Sequence, residues 1–239
     1  MHPRHLAPPG AVIFDLDGTL IDSRTDIAAT CNHALITHGR APLPADRIRT
    51  FVGDGARLLL SRAFALAPDS PDLEAPLAAF HAFYLAHPVV HTTLLPGAPE
   101  ALDACRDAGA KRILVTNKPH ETTLRVLDVL GLQSTFDAIR GGGNGPLKPN
   151  PFALLAALEQ VGVAPARAWM VGDGPQDIGA GKAARCAATI GVLEGFVDPA
   201  RLHAAGPDVV LRSLHEFPAL LDGQAIKVDS VDSSTTAPA

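Results

Sequence analysis

Cysteine is scarce in this chain: Cys31, Cys105 and Cys186 are the only three in 239 residues, and they lie far apart. Without a C-x-x-C spacing, a disulfide framework or a zinc knuckle has no support, and the three read as small buried hydrophobes in a reducing compartment. Blocks of lysine or arginine are missing too. The chain carries 25 acidic and 20 basic residues, a formal net charge of −5, and no stretch able to track a phosphate backbone, so nucleic acid is not an expected partner. No apolar run is long enough to span a bilayer, and residues 1–10 lack the apolar segment of a secretory signal. They read as a loose leader. A cytoplasmic protein without a membrane partner is the expectation. There is no internal repeat, and no G-x-G-x-x-G follows the first apolar strand, which sets aside a nicotinamide-binding reading. His87 and His91 have helical i,i+4 spacing, but Pro88 between them argues against the continuous helix that a metal pair would need.

What is present is enough apolar residue, 47%, to build a real core. The chain is organised around residues 11–20, Ala-Val-Ile-Phe-Asp-Leu-Asp-Gly-Thr-Leu. Four apolar residues lead straight into Asp15 and Asp17, so a buried strand would deliver both carboxylates to its C-terminal edge, where open α/β sheets place their ligands. A strand followed by an Asp-Gly turn with a capping Thr is the structural alternative. Beyond it, helical spacing over 24–38, 56–66 and 73–85 predicts three amphipathic blocks punctuated by prolines. The next clear strand, 112–116, lies about ninety residues after the first. A simple βαβ unit needs only about thirty residues, and the surplus reads as an inserted helical domain over 23–93.

From residue 94 onward strands and helices alternate. Strands are expected at 112–116, 136–139, 168–171, 187–192 and 208–211, with helices opening at Pro99, His120, Asn150 and Pro175. Such alternation predicts an α/β fold, a Rossmann-like parallel sheet core formed by residues 1–22 and 94–222. The polar stretch 223–239 is expected to be a disordered tail.

Three further stretches place polar residues at predicted strand ends or in the loops beyond: Val115-Thr116-Asn117-Lys118, Leu147-Lys148-Pro149, and Val171-Gly172-Asp173 running on to Asp177. Singly, each has an ordinary explanation: Thr116 and Asn117 as helix caps, Lys148 as a solvated loop lysine, Asp173 as an N-cap. Jointly, with the Asp15/Asp17 motif and the insertion after it, they resemble the haloacid-dehalogenase-like hydrolase superfamily over residues 11–215. That resemblance implies Asp15 as nucleophile and Asp17 as general acid and base. It implies Thr116, Asn117 and Lys148 as phosphate-binding residues. It gives Asp15, Asp17 and Asp173 to a metal, with Asp177 supporting it, and a helical cap over the site. Two departures stand out: Gly174 occupies a position where the family usually has Ser or Thr, and the loop 141–145 is poor in acidic residues.

The chemistry is consistent with those roles. A carboxylate can take a phosphoryl group onto itself, splitting one hard displacement into two easier ones, and a neighbouring carboxyl can protonate the leaving alcohol and then deprotonate water. Four aspartates around a phosphate dianion would repel one another by several kcal/mol in a dry site, so a cation is required, and Mg²⁺ suits an all-oxygen donor set. Asp17 argues against dehalogenation, because halide leaves without a proton. Ile27, where related sugar phosphomutases carry a cap histidine, argues against that activity.

The stretch Arg49-Thr50-Phe51-Val52-Gly53-Asp54-Gly55-Ala56-Arg57 resembles the cap loop of bacterial phosphoglycolate phosphatases, although a glycine-rich helix–helix turn would read the same way. The expectation is a Mg²⁺-dependent phosphomonoesterase acting on a small phosphorylated metabolite. Phosphoglycolate leads; a sugar phosphate such as N-acetylmuramic acid 6-phosphate is the runner-up. Arg57, ahead of Arg49, and Gly53 are the candidates for choosing the substrate. A non-catalytic phosphate-binding protein on the same scaffold is the rival from another class. Oligomeric state is not readable.

Overall fold

The computed structural model describes residues 6–143 and 145–224. Half of the expected leader and almost all of the expected tail therefore lie outside the described residues. The strands are β1 (Ala11–Phe14), β2 (Ile21–Asp22), β3 (Thr93–Leu94), β4 (Lys111–Pro119), β5 (Ala138–Gly142), β6 (Ala168–Gly172), β7 (Ala188–Val192) and β8 (Val209–Leu211). Six of them form one sheet in the order β5-β4-β1-β6-β7-β8, with every neighbouring pair parallel. β1 is central and fully buried, as its unbroken apolar run requires in a sheet covered on both faces. Its alternation divides the core. Val12 and Phe14 join one apolar cluster with Leu114, Trp169 and Val171. Ala11 and Ile13 face the other way, onto Ile113, Met170 and the helical Leu154 and Leu158.

Helices α1 (Arg24–Thr37), α2 (Ala45–Arg49), α3 (Ala56–Phe64) and α4 (Glu74–Ala86) all fall between β2 and β3. These two strands pair antiparallel, Ile21 opposite Leu94, so the chain leaves and re-enters the sheet domain side by side. A buried carboxylate ties the two passages together. Asp26, in the first turn of α1, accepts hydrogen bonds from the backbone N–H groups of Val90, His91 and Thr92, and from the Thr92 hydroxyl at 2.6 Å. Around the sheet lie α5 (Ala98–Asp107), α6 (His120–Val129), α7 (Phe152–Val161), α8 (Pro175–Ala183), α9 (Pro199–Ala204) and α10 (Phe217–Leu221). α10 closes one sheet face: the Phe217 ring lies 5.6 Å from that of Phe14 and meets Trp169 edge-on at 6.4 Å.

Three differences from the sequence expectation have physical reasons. The second long strand continues through Asn117 and Lys118 to Pro119, because these polar side chains are buried in contacts that only the folded chain provides. β5 sits at 138–142 rather than 136–139, with Gly142 paired to Pro119; pairing outweighs the weak strand preference of glycine. The helices α2, α9 and α10 were not expected, since five or six residues carry too little periodicity to register. All three cysteines are free. Burial pushes the thiols of Cys31 and Cys105 up to about 12.

Candidate active site

Asp15 follows the last residue of β1, and its N–H bonds to the carbonyl of Val171 on β6. Asp173 follows β6, and Asp177 lies in the first turn of α8. The three are buried, and one oxygen from each falls within 4.8 Å of the others. Lys148 stands among them. Its ammonium lies within ion-pair distance of Asp15 Oδ1 at 2.8 Å and Asp177 Oδ1 at 2.6 Å, and donates a hydrogen bond to the carbonyl of Val115 at 2.7 Å; the two carboxylate oxygens are buried without a hydrogen-bond donor of their own, as atoms awaiting a cation would be. Asp173 Oδ2 accepts the N–H of Phe196 at 2.6 Å, and Asp177 Oδ2 accepts that of Gly174 at 3.0 Å.

Three carboxylates thus share one ammonium. The imbalance shows in their protonation. Burial pushes the Asp15 carboxyl up to about 6 against the pull of Lys148, with Asp177 and Asp17 adding to the rise. Burial followed by Asp177 and Asp15 holds Asp173 well above the usual carboxylate range. For Lys148, burial works against the charge, and Asp15 and Asp177 outweigh it, so its ammonium is held above the ordinary lysine value. A buried cluster of carboxylate oxygens with surplus negative charge is the donor set of a hard divalent cation, and the cluster can hold one.

Asp17 stands apart from this cluster. The sequence reading gave it to the metal and left Asp177 in support, whereas the structure groups the Asp177 carboxylate with Asp15 and Asp173. The Asp17 carboxylate is occupied elsewhere. It accepts the Ser23 hydroxyl at 2.6 Å and the Lys118 ammonium at 3.0 and 3.2 Å. Lys118 in turn donates to the Tyr84 hydroxyl at 2.6 Å and sits 4.2 Å from the centroid of its ring. Burial alone would lower the Lys118 ammonium; Asp17 and Tyr84 hold it above the ordinary lysine value. Tyr84, on α4 of the insertion, is pushed up to about 12, chiefly by burial. Sequence reasoning gives neither residue a role: Lys118 ends the motif 115–118, and Tyr84 falls within the amphipathic block 73–85. The signal for Lys118 was a lysine at the end of an otherwise buried strand; for Tyr84, the lone tyrosine of the chain, there was none.

Asn117 is a clamp. Its Nδ2 donates to the carbonyls of Gly53 and Lys148, and its Oδ1 accepts the N–H of Lys148. It therefore ties the lysine loop of the sheet domain to the inserted helices at Gly53. Thr116 is buried beside it and accepts the N–H of Lys118. Gly53 has φ +115, and a Cβ there would lie 2.9 Å from Gln176 Nε2, so only glycine allows the approach. Gln176 also explains Gly174. A Cβ at 174 would lie 2.2 Å from Gln176 Nε2 and 2.4 Å from its Oε1, so the glutamine amide occupies the space of the side chain that is absent.

The expected arginines are not brought to the site. Arg57 reaches the carbonyl of Pro68 and the Glu74 carboxylate at 2.5 Å, drawn by an acid within the insertion, and Arg49 is exposed at the end of α2. The cavity between insertion and sheet is lined by Asp15, Asp17, Thr116 and Lys118 below, with Leu59, Phe80 and Tyr84 above. The space left in it is ≈ 50 Å³, room for roughly three to five water-sized groups.

Comparison with known proteins agrees with this geometry. Residues 9–185 match the family model of haloacid dehalogenase-like hydrolases. The chain is 37% identical over 224 residues to the phosphoglycolate phosphatase of Pseudomonas putida, covering 91% of this chain and 80% of that one. It is 35% identical to that of Aquifex aeolicus, covering 90% of this chain and 98% of the other. Among solved structures, a predicted phosphoglycolate phosphatase from Haemophilus somnus superposes with a TM-score of 0.78 at 26% identity, over 87% of this chain and 95% of that one. No helix among the described residues is long and apolar enough to cross a membrane.

Proposed function

The chain belongs to the haloacid dehalogenase-like hydrolase family and is a phosphatase, and from that premise we propose that it hydrolyses 2-phosphoglycolate through an acyl phosphate formed on the Asp15 carboxylate. The observation that carries this reading is the clustering of Asp15, Asp173 and Asp177, two of them paired with Lys148, beside Thr116. Asp15 is the nucleophile. Its carboxylate oxygen forms the new P–O bond as the bond to the glycolate oxygen breaks, and Asp17 gives that oxygen its proton. In the second step Asp17 takes a proton from water, whose oxygen bonds to phosphorus, and inorganic phosphate leaves with Asp15 restored.

Lys148 and the Thr116 hydroxyl place positive charge and a donor beside the phosphoryl oxygens. Mg²⁺ held by Asp15, Asp173 and Asp177 would offset the carboxylate charge and polarise the phosphoryl group. Lys118 is the one cation among the cavity-lining residues, and it serves a substrate carboxylate. As it turns to that carboxylate, Lys118 releases the Asp17 carboxylate that it holds at 3.0 and 3.2 Å, so substrate binding frees the group that must face the leaving oxygen. The small space beneath Leu59, Phe80 and Tyr84 suits a two-carbon leaving group better than a sugar.

A panel of phosphomonoesters ranked by kcat/KM, with and without chelator, tests the reading. Phosphoglycolate should lead, the chelator should abolish turnover, and Asp15→Asn should leave less than a few per cent of activity with the fold intact. Preference for N-acetylmuramic acid 6-phosphate would overturn the substrate assignment, and an active Asp15→Asn enzyme the nucleophile.

A further inference from the structure

The carboxyl edge of the sheet holds a second cavity, of ≈ 260 Å³, one strand outward from the catalytic one. It lies between the end of β5, the segment 145–148 and the first turns of α7. One side is apolar: Leu147, Phe152, Ala153 and Ala156 line it, and the Phe152 ring is left 50% exposed at its rim. The other side carries Arg140. Among the described residues its guanidinium has no carboxylate within ion-pair distance. Nη2 donates to the amide oxygen of Gln160 at 2.8 Å, while Nε is buried without an acceptor among the described residues. A cationic N–H removed from water and left unpaired costs more than any other unmade hydrogen bond. The side chain lines the cavity, so an oxygen anion brought by a ligand would meet a guanidinium that no carboxylate neutralises, and the planar fork of arginine fits a carboxylate best. Apolar wall and unpaired guanidinium together describe a site for an anion with a hydrocarbon body.

The inner wall of this cavity is shared. Asn117 and Lys148 line it, and Asn117 is the clamp that joins the Lys148 backbone to Gly53 of the insertion. A group packed against Leu147 presses on the loop that seats the phosphate-binding lysine. We propose that the Arg140 cavity is a second, regulatory site that takes a small carboxylate with an apolar body and changes turnover through Lys148 and Asn117 without competing for the catalytic cavity. The coupling uses contiguous packed and hydrogen-bonded groups. It is independent of which phosphomonoester the enzyme prefers.

The test uses the full chain with Mg²⁺ and three probes: benzoate, which has both charge and body; benzyl alcohol, which lacks the charge; and acetate, which lacks the body. Calorimetry or ligand-observed NMR reads binding, and steady-state hydrolysis of p-nitrophenyl phosphate reads coupling. Benzoate should bind at one site and alter kcat with KM unchanged, and the other two should not. Arg140→Gln should weaken benzoate about tenfold or more, as loss of a charge-assisted pair implies. Ala156→Leu, which fills the cavity and keeps the cation, should weaken it likewise. Both variants should melt as wild type and hydrolyse normally without benzoate. Benzoate binding that ignores both substitutions, inhibition that raises only KM, or no saturable binding at all would overturn the site. Binding that leaves kcat and KM untouched would overturn the coupling.

Discussion

Gly174 illustrates how one missing side chain is absorbed. Where the family resemblance leads one to expect a hydroxyl beside Asp173, Gln176 reaches back into the space, so a side chain restored at 174 must push the end of the glutamine aside. Gly174→Ser is therefore expected to displace the flexible end of Gln176 and lower kcat severalfold with little change in melting point, and Gly174→Ser with Gln176→Ala should recover kcat. If the single substitution raises activity, Gln176 is not the compensating residue.

Lys118 gives a sharper test of substrate choice. Lys118→Met retains the stem and removes the charge, and Asp17 keeps its bond from Ser23. The loss for phosphoglycolate should be about 10- to 100-fold in kcat/KM, the worth of a charge-assisted contact, against a much smaller loss for ethyl phosphate, which has no carboxylate. Equal losses on both substrates would remove Lys118 from recognition. At this scale the sequence was legible where chemistry and element ends coincide: Asp15 and Asp173 follow apolar strands, Thr116 closes the apolar run of β4, and Lys148 lies in the loop that leads into α7. It was silent on Tyr84, whose partner Lys118 lies 34 positions along the chain, and on Gln176, whose side chain fills space at both nearby Gly174 and distant Gly53 only once the chain is folded.

Between elements, the decisive contact is Asp26 with the returning chain at 90–92. One carboxylate answers three backbone N–H groups and a hydroxyl. Burial works against its charge, but the Thr92 hydroxyl and the N–H groups of Val90, His91 and Thr92 outweigh it and hold the carboxyl below the ordinary value. Asp26→Ala would leave those donors unmatched, at a cost of about 2–4 kcal/mol, or roughly 5–15 °C in Tm for a chain of this size. The sign with pH follows from the lowered value: the contribution is complete above about pH 4, where the unfolded carboxylate is ionised, and is lost as pH falls through the native value. Thermal melts of wild type and Asp26→Ala should converge below pH 4; a gap that widens in acid would contradict this role. The long helices α1 and α4, whose buried residues Ile27, Cys31, Ala34 and Leu35, and Leu77, Phe80 and Tyr84, recur at helical spacing, and the buried strands were readable in advance because pattern and environment agree. The pairing of β2 with β3 was not, because two residues per strand leave no pattern to read.

For the molecule as a whole, the site is a burden that the fold carries. Asp15, Asp173 and Asp177 are buried in surplus over Lys148, and both Asp15 and Asp173 are held above their ordinary range, which means that the folded state is penalised for their charge. Removing one charge while keeping its shape should relieve that penalty. Asp173→Asn retains an oxygen for the Phe196 N–H, and in chelator it is expected to melt above wild type by a few degrees, corresponding to about 1–2 kcal/mol. Added Mg²⁺ should reverse the ranking. The ion binds the folded wild-type cluster and raises its Tm with concentration, whereas the variant, left with two of the three carboxylates, should gain little and should hydrolyse almost nothing. Differential scanning fluorimetry across a Mg²⁺ titration reads both effects. A variant less stable than wild type in chelator would mean that the cluster is already neutral by sharing protons. A variant that gained as much from Mg²⁺ as wild type would place the ion elsewhere.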